Sequence, residues 1–177
     1  MTEVGDDEPR WLGHDELASW KALMQVLLAL PAKLDAQLRS DSQLRLYEYH
    51  VLAALSDQPT RSIGMKALSV VTNGSMSRLS HVVSRMEGRG WVERRPHPND
   101  GRLTEAHLTD EGFDAIVDAA PAHVTAARAL VIDRLTPEQV SQLGAICQAI
   151  ASALDGDASE LLSPDCGGQT RQVPPDR

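Results

Sequence analysis

Cysteine is scarce in this chain of 177 residues: Cys147 and Cys166 are the only two, and neither belongs to a CxxC pair. Two thiols so placed exclude a disulfide framework and a thiolate metal site. Cys147 falls in a helical apolar stripe, where it is expected to pack as a small buried hydrophobe; Cys166 lies in a polar stretch and is expected to be exposed. Aromatic residues make up only 3% of the chain. With Ala and Leu abundant at helical spacings, that argues against a β-sandwich or barrel and for a mainly helical fold. No uninterrupted run of about 18 apolar residues occurs, so no membrane span is expected. The acidic opening MTEVGDDEPR lacks the basic region of a secretory signal, which makes a cytoplasmic location the expectation. Catalytic signatures are missing as well. There is no HExxH motif, Gly-rich phosphate loop or Cys/His pair, and His14, His50, His81, His97, His107 and His123 are too scattered to suggest a metal cluster. No enzymatic activity, cofactor or metal is expected.

What the chain does have is an uneven charge. The formal net charge is −8, which by itself speaks against a nucleic-acid partner. From Arg61 through Arg102, however, eight positive residues (Arg61, Lys66, Arg78, Arg85, Arg89, Arg94, Arg95 and Arg102) stand against three negative ones (Glu87, Glu93 and Asp100), a local charge of +5. Screening at physiological salt acts over roughly 8 Å, so an acidic body several helices away need not cancel a basic face.

Within that segment, Ser75 to Arg89 places Met76, Leu79, Val83 and Met86 at intervals of three and four with Val82 alongside, the inward stripe of an amphipathic helix. Its other face carries Ser77, Arg78, His81, Ser84 and Arg85. Short serines permit close approach to a DNA groove and arginines reach base edges or phosphates; the alternative is an ordinary solvated surface.

Around it, a helix is expected from an N-cap at Asp15 through Arg39, with Leu17, Trp20, Met24, Leu27, Pro31, Leu34 and Leu38 as a heptad seam, the spacing of a helix packed along another helix. That partner lies either within its own subunit or, with no obvious match for so long a seam elsewhere in the chain, in a dimer contact. Pro31 should kink or break it. Leu46 to Leu55 reads as a short helix, with Val51, Leu52 and Leu55 inward. Ile63, Ala67, Leu68 and Val71 mark another, stopped by the turn Thr72-Asn73-Gly74, after which Asn73 or Ser75 caps the basic helix. Two short helices joined by a Gly-containing turn have the layout of a helix-turn-helix. After Gly90, Trp91 to Arg95 and Leu103 to Leu108 read as two strands joined by the turn-rich PHPNDG, a wing. Thr109 caps a helix along Phe113, Val117, Ala120, Val124, Ala127 and Val131, which Pro121 should bend or split. Thr136-Pro137-Glu138-Gln139 opens the last helix as a capping box, with Leu143, Ile146, Cys147, Ile150 and Leu154 inward.

This order resembles the MarR family of winged helix-turn-helix transcriptional regulators. GMKALSVVTNGSMSRLSHVVSRMEGRGWVERRPHPNDGR is similar to the family's recognition helix and wing, and LTDEG to the segment that follows. The resemblance implies a mainly α fold with a small β-wing: a winged helix-turn-helix lobe over residues 44–108, dimerisation helices over 14–40 and 109–154, a flexible leader over 1–13 and a disordered tail over 155–177. It implies a homodimer on double-stranded DNA, with one recognition helix per subunit in adjacent major grooves and the wing tips in the minor groove.

By position, Ser75, Ser77, Arg78 and His81 match the family's groove-facing residues. Asp100 and Arg102 match its wing pair, in which the acid braces the loop and the Arg enters the minor groove. Between them the family often has a basic residue where this chain has Gly101. Arg85, Arg94 and Arg95 are expected to contact phosphates or to form ion pairs within the chain. The resemblance further implies a small aromatic or anionic effector between the dimer helices and the lobe, where Trp20, Tyr47, Tyr49 and His50 are the candidates. With no cysteine before Cys147, oxidant sensing through an N-terminal thiol is not expected. The expected function is sequence-specific, ligand-responsive repression at a pseudo-palindromic operator; the competing reading is a winged-helix module that binds another protein.

Overall fold

A computed structural model describes residues 9–98 and 100–154. The elements run α1 (His14–Ser42), α2 (Leu46–Ser56), β1 (Ser62–Gly64), α3 (Met65–Val71), α4 (Met76–Glu87), β2 (Val92–His97), β3 (Asp100–Leu108), α5 (Asp110–Leu130), a 3₁₀ turn (Ile132–Arg134) and α6 (Pro137–Leu154). The fold is mainly helical with one small antiparallel sheet in the order β1-β3-β2, as a winged helix requires. The tail expected over 155–177, Cys166 and most of the leader lie outside the described residues.

Local chemistry sets most of the boundaries. Thr109 Oγ1 accepts a hydrogen bond from the Gly112 amide (3.0 Å) and donates one to the Gly90 carbonyl (2.7 Å), starting α5 while tying it to the turn that follows α4. The Thr136 capping box is reciprocal: Thr136 N donates to Gln139 Oε1 (2.9 Å) and Gln139 N to Thr136 Oγ1 (3.3 Å). Gly90 adopts φ +73°, the left-handed residue expected after α4. The first helix starts two residues earlier than expected. Gly13, not Asp15, is the cap, because Glu16 reaches back to accept from the Gly13 amide at 2.7 Å. Neither proline splits its helix; α1 runs unbroken through Pro31 and α5 through Pro121.

Two further expectations fail at the lobe. Ile63 is not helical but the centre of β1, a three-residue strand that pairs Ser62, Ile63 and Gly64 with His107, Ala106 and Glu105 of β3. Met76 is not in the inward stripe: it lies in the first turn of α4 and is 48% exposed, as is Val71 (49%) at the end of α3.

The core belongs to the lobe. Leu52, Leu55, Leu68, Leu79, Val83, Met86 and Leu108 are fully buried, joined by Leu38 from the end of α1 and by Ile116 and Ala119 from α5. Among the described residues no buried side-chain nitrogen or oxygen lacks a hydrogen-bond partner. The long helices are different. The α1 seam is buried only at Leu38, while Trp20 and Leu27 stand open, and α6 buries no residue at all. Cys147 is therefore exposed rather than packed, because no described residue covers that stripe. By length and composition alone Asp110–Arg134, with a window mean hydropathy of 1.4, could cross a membrane. Its Ile116 and Ala119 are instead part of the lobe's core.

Candidate nucleic-acid interface

The turn into α4 is built by a close approach. Asn73 takes φ +48°, and Gly74 lies so near Tyr47 of α2 that a Cβ there would sit 1.9 Å from the Tyr47 hydroxyl oxygen. Any other side chain at 74 would have to displace the ring. Thr72 Oγ1 donates to the Leu68 carbonyl (2.7 Å), so the Tyr47 hydroxyl is the donor in its 2.9 Å bond to Thr72 Oγ1. Ser75 then caps α4, its Oγ accepting from the Arg78 amide at 3.2 Å. Of the expected groove-facing residues, Ser75 is thus committed to capping, whereas the side chains of Ser77, Arg78 and His81 stand exposed on the outer face. The Arg78 guanidinium lies over the Tyr47 ring, 4.0 Å from its centroid.

The other basic residues divide by partner. Arg85 Nε donates to Glu48 Oε1 at 2.7 Å, and the Glu48 side chain, 4% exposed, also accepts from the Arg45 amide through Oε2 (2.8 Å). A buried carboxylate is costly unless paired, so this bond fastens α4 to α2. Arg94 of β2 forms an ion pair with Glu87 and donates to the Ser80 carbonyl (2.9 Å) and to Ser84 Oγ (3.1 Å), bracing the wing against the helix. Arg95 pairs with Glu93 at 2.9 Å and Arg61 with Asp110 at 2.7 Å. Arg89 stacks on Trp91, 3.4 Å above the ring centroid, and donates to the Gln43 carbonyl (3.1 Å). Folding therefore halves the free positive charge of the basic segment. Among the described residues, Lys66, Arg78, Arg89 and Arg102 keep no carboxylate partner.

At the wing tip the ladder shifts register between Pro96 and His97. Asp100 Oδ1 accepts from the Arg102 amide at 3.0 Å, closing the loop and leaving the Arg102 side chain in solvent. Beyond its two chain neighbours, no described residue lies within 4 Å of a Cβ built on Gly101. Glycine at this position answers no steric demand.

Of the residues expected at an effector site, Tyr49 and His50 both act on His123 of α5. Trp20 is half-exposed on α1 and Tyr47 is taken up by the turn. Tyr49 faces the other way, its ring 4.2 Å from that of His123 on α5, and His123 Nδ1 lies 3.3 Å from Gln37 Oε1 on α1. Burial, and then repulsion from His50, holds His123 below the usual imidazole range. Burial, and then the charge of Asp57, pushes the Tyr49 phenol up. His123, Gln37 and Glu48 escaped the sequence reading. His123 left one signal, a polar residue beside the apolar repeat of α5; the other two join partners that only the fold brings near.

Residues 44–104, from just before α2 into β3, match the model of the MarR family. The fold is also that of Sco3205 from Streptomyces coelicolor, a MarR family transcriptional regulator solved in complex with DNA. The two share 40% identity over 86% of this chain and 95% of that one, with a TM-score of 0.81. This chain belongs to the MarR family. A second Streptomyces coelicolor member, AbsC, is 33% identical over 84% of this chain and 100% of its own, with a TM-score of 0.79. The transcriptional repressor MprA of Escherichia coli K12 is 29% identical over 107 residues; that match spans 60% of this chain and 60% of the repressor's length. The MarR assignment gives the exposed face of α4 and the wing tip their candidate roles.

Proposed function

We propose that this MarR-family chain is a homodimeric, sequence-specific DNA-binding transcription regulator that represses from a pseudo-palindromic operator and is released by a small aromatic or anionic ligand. The observation that carries the DNA reading is the exposed row Ser77, Arg78 and His81 on a helix clamped through Arg85 and Arg94, beside a wing whose Arg102 side chain has no carboxylate partner among the described residues. A guanidinium suits a narrow minor groove, being weakly hydrated and drawn to concentrated negative potential. Solution of Sco3205 in complex with DNA supports DNA binding, and MprA's being a repressor supports repression. The open apolar faces of α1, α5 and α6 support a second copy, which would set two recognition helices on half-sites about 10 bp apart. The Tyr49–His123–Gln37 junction of α2, α5 and α1 supports an effector site. A ligand there releases DNA only by favouring a lobe spacing that fits the operator poorly.

The test is selection of duplexes from randomised DNA by the full-length chain, followed by a salt titration on the winner. Arg102→Ala should weaken binding and reduce the slope of log affinity against log salt by about 1. No preferred duplex, together with an unchanged slope in the variant, would remove the DNA reading.

A further inference from the structure

Tyr47 stands on α2, outside both the recognition helix and the wing, yet it touches each part of the turn that launches α4. Its hydroxyl is fixed by Thr72, its edge fills the space a side chain at Gly74 would need, and its face carries the Arg78 guanidinium at 4.0 Å. Stacking occupies the flat face of a guanidinium and leaves its in-plane N–H donors free. No side-chain nitrogen of Arg78 bonds to another described residue; the hydrogen bond at this position is made by the backbone amide to Ser75. An Arg held by its face keeps the fork that matches the O6 and N7 acceptors of guanine, and the ring removes much of the freedom that a long side chain would otherwise lose on binding.

We propose that Tyr47 is a positioning residue for DNA readout: its ring presets Arg78 to present a bidentate fork to one base, so that a residue remote from the groove helps to set sequence preference. This rests on the DNA reading above. It also assigns Tyr47 to the recognition helix rather than to an effector site.

The experiment is a double-mutant cycle on the selected duplex. The readout is the ratio of affinity for that duplex to affinity for a scrambled one, at fixed salt. Tyr47→Leu should lower the ratio roughly 3- to 30-fold, the range of a cation–π contact, and leave the salt slope unchanged. Tyr47→Phe, which keeps the ring, should retain the wild-type ratio, and Tyr47→Leu should cost nothing further in an Arg78→Ala background. A full loss in Arg78→Ala with none in Tyr47→Leu, or equal losses in the Leu and Phe variants, overturns the positioning role while leaving the DNA reading intact. No effect of Arg78→Ala overturns the base-reading role of Arg78, and the positioning role with it. Should Tyr47→Leu fail to fold, the Arg78 side-chain Nε–H resonance of the wild type decides: an upfield ring-current shift that persists on DNA supports the proposal, and its loss on DNA overturns it.

Discussion

The winged lobe and the long helices are made from similar apolar repeats, and they end in opposite conditions. In the lobe, α2, α3, α4 and the sheet bury Leu52, Leu55, Leu68, Leu79 and Leu108 completely, and every buried side-chain nitrogen and oxygen among its described residues is paired. Along α1, α5 and α6, Trp20, Leu27, Val124, Ile146 and Ile150 carry the same periodicity but stay 40% exposed or more. A repeat of three and four specifies which side of a helix is apolar. It does not specify whether the chain's own elements or a second copy will cover that side.

That contrast is sharpest in stability. Leu79→Ala should cost about 2–5 kcal/mol, because a fully buried side chain leaves a cavity the lobe cannot close; denaturant midpoints at constant slope would report it. If the long helices depend on a second copy, Ile146→Ala should give a loss that shrinks as the protein is diluted. A loss independent of concentration would place that face inside a single subunit.

Next in size is Arg85→Ala, at about 1–3 kcal/mol, since it strips Glu48 of its charged partner and leaves the buried carboxylate with the Arg45 amide alone. The same chemical denaturation measures it. A neutral result would mean that water takes the place of the guanidinium at Glu48.

Gly101→Arg tests the wing tip from the opposite direction. With open space around that position, the added guanidinium should tighten binding to specific and scrambled duplexes alike and increase the salt slope by about 1. Equal slopes in both proteins would show that the tip does not approach phosphate.

The smallest effect concerns pH. His123 is held below the ordinary imidazole value by burial and by His50, so the unfolded chain binds more protons than the folded one across the window beneath about pH 6.5. The stabilisation from the neutral ring is present above that value and lost as pH falls through the folded pKa. The melting temperature should therefore drop on acidification, and His123→Gln should flatten part of that slope. An unchanged pH profile would remove His123 as the group responsible.

Much of the fold was legible because its signals are local. The stripe at Leu79, Val83 and Met86, the caps at Thr109 and Thr136, and the left-handed Gly90 all act within a few residues. Elements that depend on distant partners were not legible. Three residues of β1 have no period to detect and exist only because β3 lies beside them. The division of the arginines into braces and free cations depends largely on Glu48, Glu87 and Asp110, which the fold brings alongside them. Tyr47, read from sequence as a ligand contact, turns out to share its ring with Arg78. The exposure of Met76 and Cys147 shows the same limit, since an apolar stripe cannot say what covers it.

The most direct test of this division is sedimentation of the wild type and of an Ile146→Asp, Ile150→Asp double variant at micromolar concentration. The wild type should sediment at twice the 19.2 kDa of the chain, and the variant at the single-chain mass with its lobe still folded. A monomeric wild type, or a variant that stays dimeric, would contradict the claim that the lobe is complete in one chain while the long helices need a second.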